Sequence, residues 1–181
     1  MKSLFFLLML GLTSMALAQE ISISEGAEAV NLNVSLRYQS HWSIDDINRA
    51  IDPANGGIQE LFKDPISLRK VSGNRYRVSS SIKVMMVGMN FNSLLDYSQV
   101  KQGNKTIHQF RFYDFDHLFV STNIRVEVAP AGNLTAVNIR QSGVIKKSSY
   151  GKIKSVPGGP GTFRSRMLGN IRKFRSSTGG Q

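Results

Sequence analysis

The chain has 181 residues, a formal net charge of +11 and no cysteine. That length allows one domain with a real core. The missing thiols exclude disulfide scaffolds, cysteine nucleophiles and thiolate metal sites, so burial of apolar surface must hold the fold together.

Residues 1–18 read as a cleavable secretory signal peptide. Lys2 supplies the positive start, Leu4 to Leu12 an apolar stretch too short to span a bilayer, and Ala16-Leu17-Ala18 the small-x-small pattern before a cut at Gln19. No cysteine follows, so the leader is not of the lipoprotein type. Cleavage leaves 163 residues bound for the periplasm or the exterior. No later segment approaches the ~20 apolar residues of a spanning helix.

Residues 19–28 form an N-terminal segment with no assigned element. From Ala29 to Tyr38 the chain alternates, with Val30, Leu32, Val34, Leu36 and Tyr38 on one face, which predicts a half-buried strand. Ser43 followed by Asp46 has the form of a capping box, and Ile44, Ile47 and Ile51 continue at helical spacing. Pro53 to Gly57 ends that helix, and a second short helix carries Ile58, Leu61 and Phe62 up to Asp64-Pro65.

Period two then holds for about eighty residues. Strands are expected over residues 66–71, along Tyr76, Val78, Ile82, Val84 and Met86, along Met89, Phe91, Leu95 and Tyr97, and along His108, Phe110 and Phe112. Val120, Thr122, Ile124, Val126 and Val128 mark one face of the next, and Leu134 to Val144 is the last. Turns fall at Ser72-Gly73-Asn74, Gln102-Gly103-Asn104 and Pro130-Ala131-Gly132-Asn133. Val34, Leu36, Ile82, Val84, Ile124 and Val126 are expected to face inward. Residues 148–162 are rich in Ser, Gly and Pro and read as a connecting loop, with Gly158 to Gly161 as a hinge. Thr162 then caps a final helix of about 13 residues, in which Phe163, Met167, Ile171 and Phe174 form one apolar stripe. The tail, residues 176–181, is expected to be disordered.

The charge is one-sided. Residues 19–127 hold 12 basic and 12 acidic side chains, whereas residues 128–181 hold ten basic ones and no acidic one. Such a field implies an anionic partner. Arg164, Arg166, Arg172, Lys173 and Arg175 of the final helix are the candidate contacts to an anionic surface.

Strand, two short helices, six strands and a carboxyl-terminal helix make an α+β fold, one antiparallel sheet of six to seven strands packed by that helix. Over residues 29–175 this order of elements resembles the START-like, or helix-grip, superfamily of lipid-transfer domains and polyketide cyclases. The resemblance lies in topology and not in any residue motif. It implies a hydrophobic cavity between the sheet and a long final helix, and the final helix expected here is shorter than that family's.

Asp114, Asp116 and His117, with His108 on the strand before them, are the densest polar cluster. They lack the spacing of a metal motif, and a polar hairpin loop accounts for them. No Gly-x-Ser-x-Gly elbow and no Lys-Ser or Lys-Thr after Gly161 is present, so neither a serine hydrolase nor a phosphate loop is indicated. No cofactor and no metal is expected. Tyr38, Met86, Met89, Phe91, Phe110 and Phe112 cluster on successive strands and are the candidate ligand contacts, or else simply the core under the helix. The expectation is an exported binding module for an apolar or amphipathic, lipid-like small molecule, its basic helix meeting an anionic membrane, with a cyclase-like or hydrolytic enzyme using the Asp114 to His117 region as a third and lesser reading. The alternative is an interaction protein that binds an anionic polymer or a protein through its basic end. Nucleic acid is disfavoured, because Phe163 and Phe174 fall on the stripe that faces the sheet.

Overall fold

The computed structural model describes residues 19–61, 66–84 and 87–180; of Gln19, Glu60 and residues 82–84 and 87–90 it describes the backbone alone. The signal-peptide segment and Met86 lie outside these residues.

Eight strands form one antiparallel sheet in the order β1-β2-β8-β7-β6-β5-β4-β3. They are β1 (Gln19–Glu25), β2 (Ala29–Ser40), β3 (Ile66–Ser72), β4 (Arg75–Val84), β5 (Val87–Gln102), β6 (Lys105–Tyr113), β7 (Phe119–Ala131) and β8 (Leu134–Lys146). Helix α1 (Ile44–Ile51) and two 3-10 turns (Pro53–Asn55 and Gly57–Leu61) follow β2, and α2 (Lys147–Lys154) and α3 (Gly159–Ser177) follow β8. The sheet therefore has one strand more than the upper expectation. The extra strand is β1, in the segment left unassigned: Gln19 to Glu25 pairs with β2 from Leu36 back to Val30.

The alternation read in β2 is real. Val30, Leu32, Val34, Leu36 and Tyr38 are all buried. Val126 is buried and Ile124 packs against the same core; the Ile82 and Val84 side chains lie outside the described residues. Val120 breaks the pattern expected for β7. A bulge between Phe119 and Ser121 turns it outward, 51% exposed, while Thr122, Val126 and Val128 stay inside. The three hairpins turn on Gly73, Gly103 and Gly132, each with φ between 48° and 65°, a conformation that glycine adopts without strain. Ser43 caps α1 as expected: Asp46 N–H donates to Ser43 Oγ at 3.1 Å, and the Ser43 hydroxyl donates back to the Asp46 carboxylate at 2.7 Å.

Four expectations about residues 148–177 are corrected. The loop of residues 148–162 is largely helical, because Tyr150 and Ile153 bury themselves and give α2 a hydrophobic footing. The final helix has 19 residues rather than about 13, a length of about 28 Å. Its cap is Gly158 in the left-handed conformation, not Thr162. The expected hinge is a close packing joint: a Cβ on Gly159 would lie 2.0 Å from the Ile153 carbonyl oxygen.

The tail, expected to be disordered, is a clasp. Thr178 is fully buried. Tyr38 Oη and Thr178 Oγ1 lie 2.5 Å apart, and the Ser40 hydroxyl donates to the Thr178 carbonyl. His41 N–H donates to the Gly179 carbonyl, and Gly180 forms an antiparallel bridge to Ser40. Gly179 (φ +68°) leaves no room for a Cβ beside the Trp42 ring. The Tyr38 and Ser40 contacts to Thr178 join positions 140 and 138 apart, which no local pattern reports.

Candidate functional site: a cavity under the long helix

The sheet's inner face carries two unlike interiors. Under α1, His108 is wholly buried and joins two elements. Its Nδ1 lies 2.9 Å from Tyr97 Oη, and its Nε2 lies 2.9 Å from Asn48 Oδ1. Asn48 Nδ2 donates to Thr106 Oγ1, so Oδ1 is left to accept, Nε2 carries the imidazole proton, and the Tyr97 hydroxyl donates to Nδ1. Burial pushes the His108 imidazole down to about 4, partly offset by Asp52. Burial also raises the Tyr97 phenol above its ordinary range. This network fixes α1 to β5 and β6, and its polar atoms are all accounted for.

The second interior lies under α3, where a cavity of about 190 Å³ remains. Its walls are the inner faces of β3 to β8 and the helix residues Met167, Asn170, Ile171 and Phe174. The stripe expected on the final helix therefore does dock: Phe163, Ile171 and Phe174 are buried, and Met167 packs against them. The cavity is apolar apart from Ser80, Ser93, Thr122, Gln141 and Asn170.

Three of the six expected ligand contacts, Phe91, Phe110 and Phe112, line this space. Tyr38 does not. Its register opposite Val137 places it beneath the Thr178 clasp, where burial raises its phenol pKa against the opposing pull of the Thr178 hydrogen bond and Arg175. Met86 and the Met89 side chain lie outside the described residues.

Phe115 and Phe119 complete the wall, with ring centroids 5.5 Å apart. They are held there by the polar cluster singled out in the sequence. Asp116 accepts from Asn92 N–H at 2.9 Å and from Asn92 Nδ2 at 2.8 Å, which staples the loop to β5. Lys146 Nζ donates to the carbonyls of Phe115 and Asp116 from the other side. Burial pushes the Asp116 carboxyl up, but the Asn92 hydrogen bonds and His117 outweigh it and hold it below the usual range. His108 sits near the far end of β6, so the four polar residues do not converge. Among the described residues no group of three or more His, Cys, Asp or Glu side chains could hold a metal.

Of the basic residues on α3, Arg164, Arg172 and Lys173 are exposed, whereas Arg166 and Arg175 are half-buried. Arg166 is already engaged within the fold. The helix thus offers three free-standing charges rather than five. No helix among the described residues is long and apolar enough to cross a membrane.

No protein-family model and no curated protein sequence matches the chain. Solved structures do match in shape. The Zhui aromatase/cyclase from Streptomyces sp. R1128 superposes with a TM-score of 0.59 at 7% identity, over 82% of this chain and 91% of that one. The di-domain ARO/CYC protein BexL from the BE-7585A biosynthetic pathway gives 0.57 at 11% identity, over 82% of this chain and 48% of its own. Protein CV1439 from Chromobacterium violaceum gives 0.54 at 14% identity, over 82% and 98%. The chain has the helix-grip, START-like fold. In helix-grip terms α3 is the gripped helix, and the cavity lies where the sheet and that helix face one another. Sequence reasoning missed Ser93, Phe115, Phe119 and Gln141. The first and last stand in phase with the apolar residues of their strands, but spacing alone does not mark an inward polar residue as a ligand contact; Phe115 sits in a stretch read as a loop, and Phe119 falls outside every expected element.

Proposed function

We propose that this protein is an exported binding module that holds an apolar or amphipathic small molecule in the cavity under α3. The carrying observation is that cavity: enclosed by Phe91, Phe110, Phe112, Phe115 and Phe119 on the sheet side and roofed by Met167 and Phe174. Well-packed interiors leave few voids larger than a water molecule, so a space of about 190 Å³ is a feature to be explained. Two of the structural neighbours are named as aromatase/cyclases, but at such low identity fold does not carry activity. None of the described lining residues is ionisable, which favours holding a ligand over acid–base conversion of it.

The working place is the periplasm or the exterior, after cleavage near Gln19. Helix α3 serves both as the roof of the cavity and as the contact to an anionic membrane, through Arg164, Arg172 and Lys173. At an anionic lipid surface each charge contributes about 1 kcal/mol, so the three together give roughly a hundredfold in binding. Replacing these three by glutamine is expected to cut binding to phosphatidylglycerol-containing vesicles by that order and leave the melting temperature within a degree or two. Salt added to the parent should act in the same direction. Vesicle binding unchanged in the triple variant defeats the membrane contact and leaves the cavity reading intact. A co-purifying small molecule seen by native mass spectrometry of protein from its own host tests the cavity reading directly.

A further inference from the structure

The cavity's polar groups and its size restrict what it accepts. Thr122 Oγ1 is committed to the Ser142 carbonyl, and Ser80 and Asn170 are engaged within the fold. Ser93 and Gln141 are different. Ser93 is only 7% exposed, and neither its hydroxyl nor the Gln141 carboxamide makes a hydrogen bond in the described structure. Both line the cavity, from β5 and β8 respectively. A ligand that fills the space and strips water from such a group without giving it a partner loses roughly 1–3 kcal/mol, so a ligand that satisfies it is favoured. Ser93 and Gln141 can each donate and accept, so a ligand hydroxyl or carbonyl oxygen suits both.

Charge is disfavoured along the described wall. A carboxylate or phosphate would be desolvated there with no cationic partner among the described lining residues, at a cost of several kcal/mol. Size narrows the class further. An engineered apolar cavity of about 150 Å³ holds one benzene ring, and the space here is about 190 Å³. We infer that the ligand is a neutral molecule of one or two rings bearing a hydroxyl or carbonyl oxygen that meets Ser93, and is neither a fatty acid nor a phospholipid. This rests on the reading of the cavity as a ligand site.

The test compares naphthalene, 2-naphthol, 2-naphthoate and dodecanoate, with the Met167 methyl resonance as reporter, since that side chain lines the cavity. Naphthalene and 2-naphthol should both shift it. The two anions should bind at least about a hundredfold more weakly than 2-naphthol. Ser93→Ala should weaken 2-naphthol about tenfold, one good hydrogen bond, and leave naphthalene unchanged, which also certifies that the variant's cavity is intact. Tight binding of either anion at the Met167 site, or a Ser93→Ala variant that keeps its full affinity for 2-naphthol, overturns the inference while the cavity reading stands. If no probe moves the Met167 methyl, the cavity reading itself fails and takes the inference with it.

Discussion

The interior under α1 and the interior under α3 are built on the same sheet face from similar residues, yet they treat polar groups in opposite ways. Under α1, His108 meets Tyr97 and Asn48, and Asn48 goes on to Thr106, so each buried polar atom has its partner. Under α3, Ser93 and Gln141 face empty space. A satisfied buried network fixes how elements pack, whereas an unsatisfied polar group beside a void is available to a ligand. Burial alone does not separate the two cases, because His108 and Ser93 are both buried. Hydrogen-bond partnership does.

Four measurements can break that contrast. The largest effect is expected from His108→Ala, which leaves Asn48 Oδ1 without a partner, leaves the Tyr97 hydroxyl only its long 3.5 Å contact to Gln99 Oε1, and opens a cavity as well. A loss of about 3–5 kcal/mol in urea unfolding is expected. Acid should act through the same imidazole. Its pKa is about 4 when folded and ~6.5 when unfolded, so between these values the unfolded chain binds the extra proton. The stability held by neutral His108 is therefore complete above pH 6.5 and lost as the pH falls toward 4, by on the order of 3 kcal/mol. Unfolding measured at pH 7 and pH 4.5 for the parent and for His108→Gln isolates this, since carboxylate titrations are shared by both. Equal slopes in the two proteins would remove His108 from the account.

Smaller effects belong to the clasp and the cavity. Thr178→Val removes the partner of the buried Tyr38 hydroxyl and should cost about 1–2 kcal/mol, read as a lower urea midpoint. Ser93→Ala should cost less than about 1 kcal/mol, because no protein hydrogen bond is lost with the hydroxyl. If Ser93→Ala destabilises as much as His108→Ala, the division into satisfied and available polar groups collapses.

Where burial followed a short period, the sequence was readable. The stripes of β2 and α3 and the capping box at Ser43 needed only local spacing, and they stand where that spacing put them. Phe91, Phe110 and Phe112 share the cavity because period-two residues of neighbouring strands stack in rows across a sheet. Tyr38 failed by the same logic. It lies on the correct face but in a row that ends under the clasp, and a row is set by register with β8, not by alternation. Val120 was misplaced by a single bulge residue. Helix α2 escaped notice because Ser148, Ser149 and Gly151 are poor helix formers; its stability comes from Tyr150 and Ile153 packing on the core. Ser93 was invisible for a different reason. Period two places it inward with Phe91 and Leu95, but local spacing cannot tell an inward serine that has a partner from one that faces a void.

The clasp also sets a clock on folding. Residues 38–40 cannot be closed over until residue 178 has been made, 140 positions later. At a synthesis rate of 5–20 residues per second that interval is roughly 7–28 s. Strand β2 has to wait almost as long for β8, its partner in the middle of the sheet, and pairing over such sequence distances is slow in any case. Throughout synthesis the emerging chain thus lacks the pieces that would lock it shut. The proposed export would require a chain that stays unlocked until it arrives, and this order of strands would supply one.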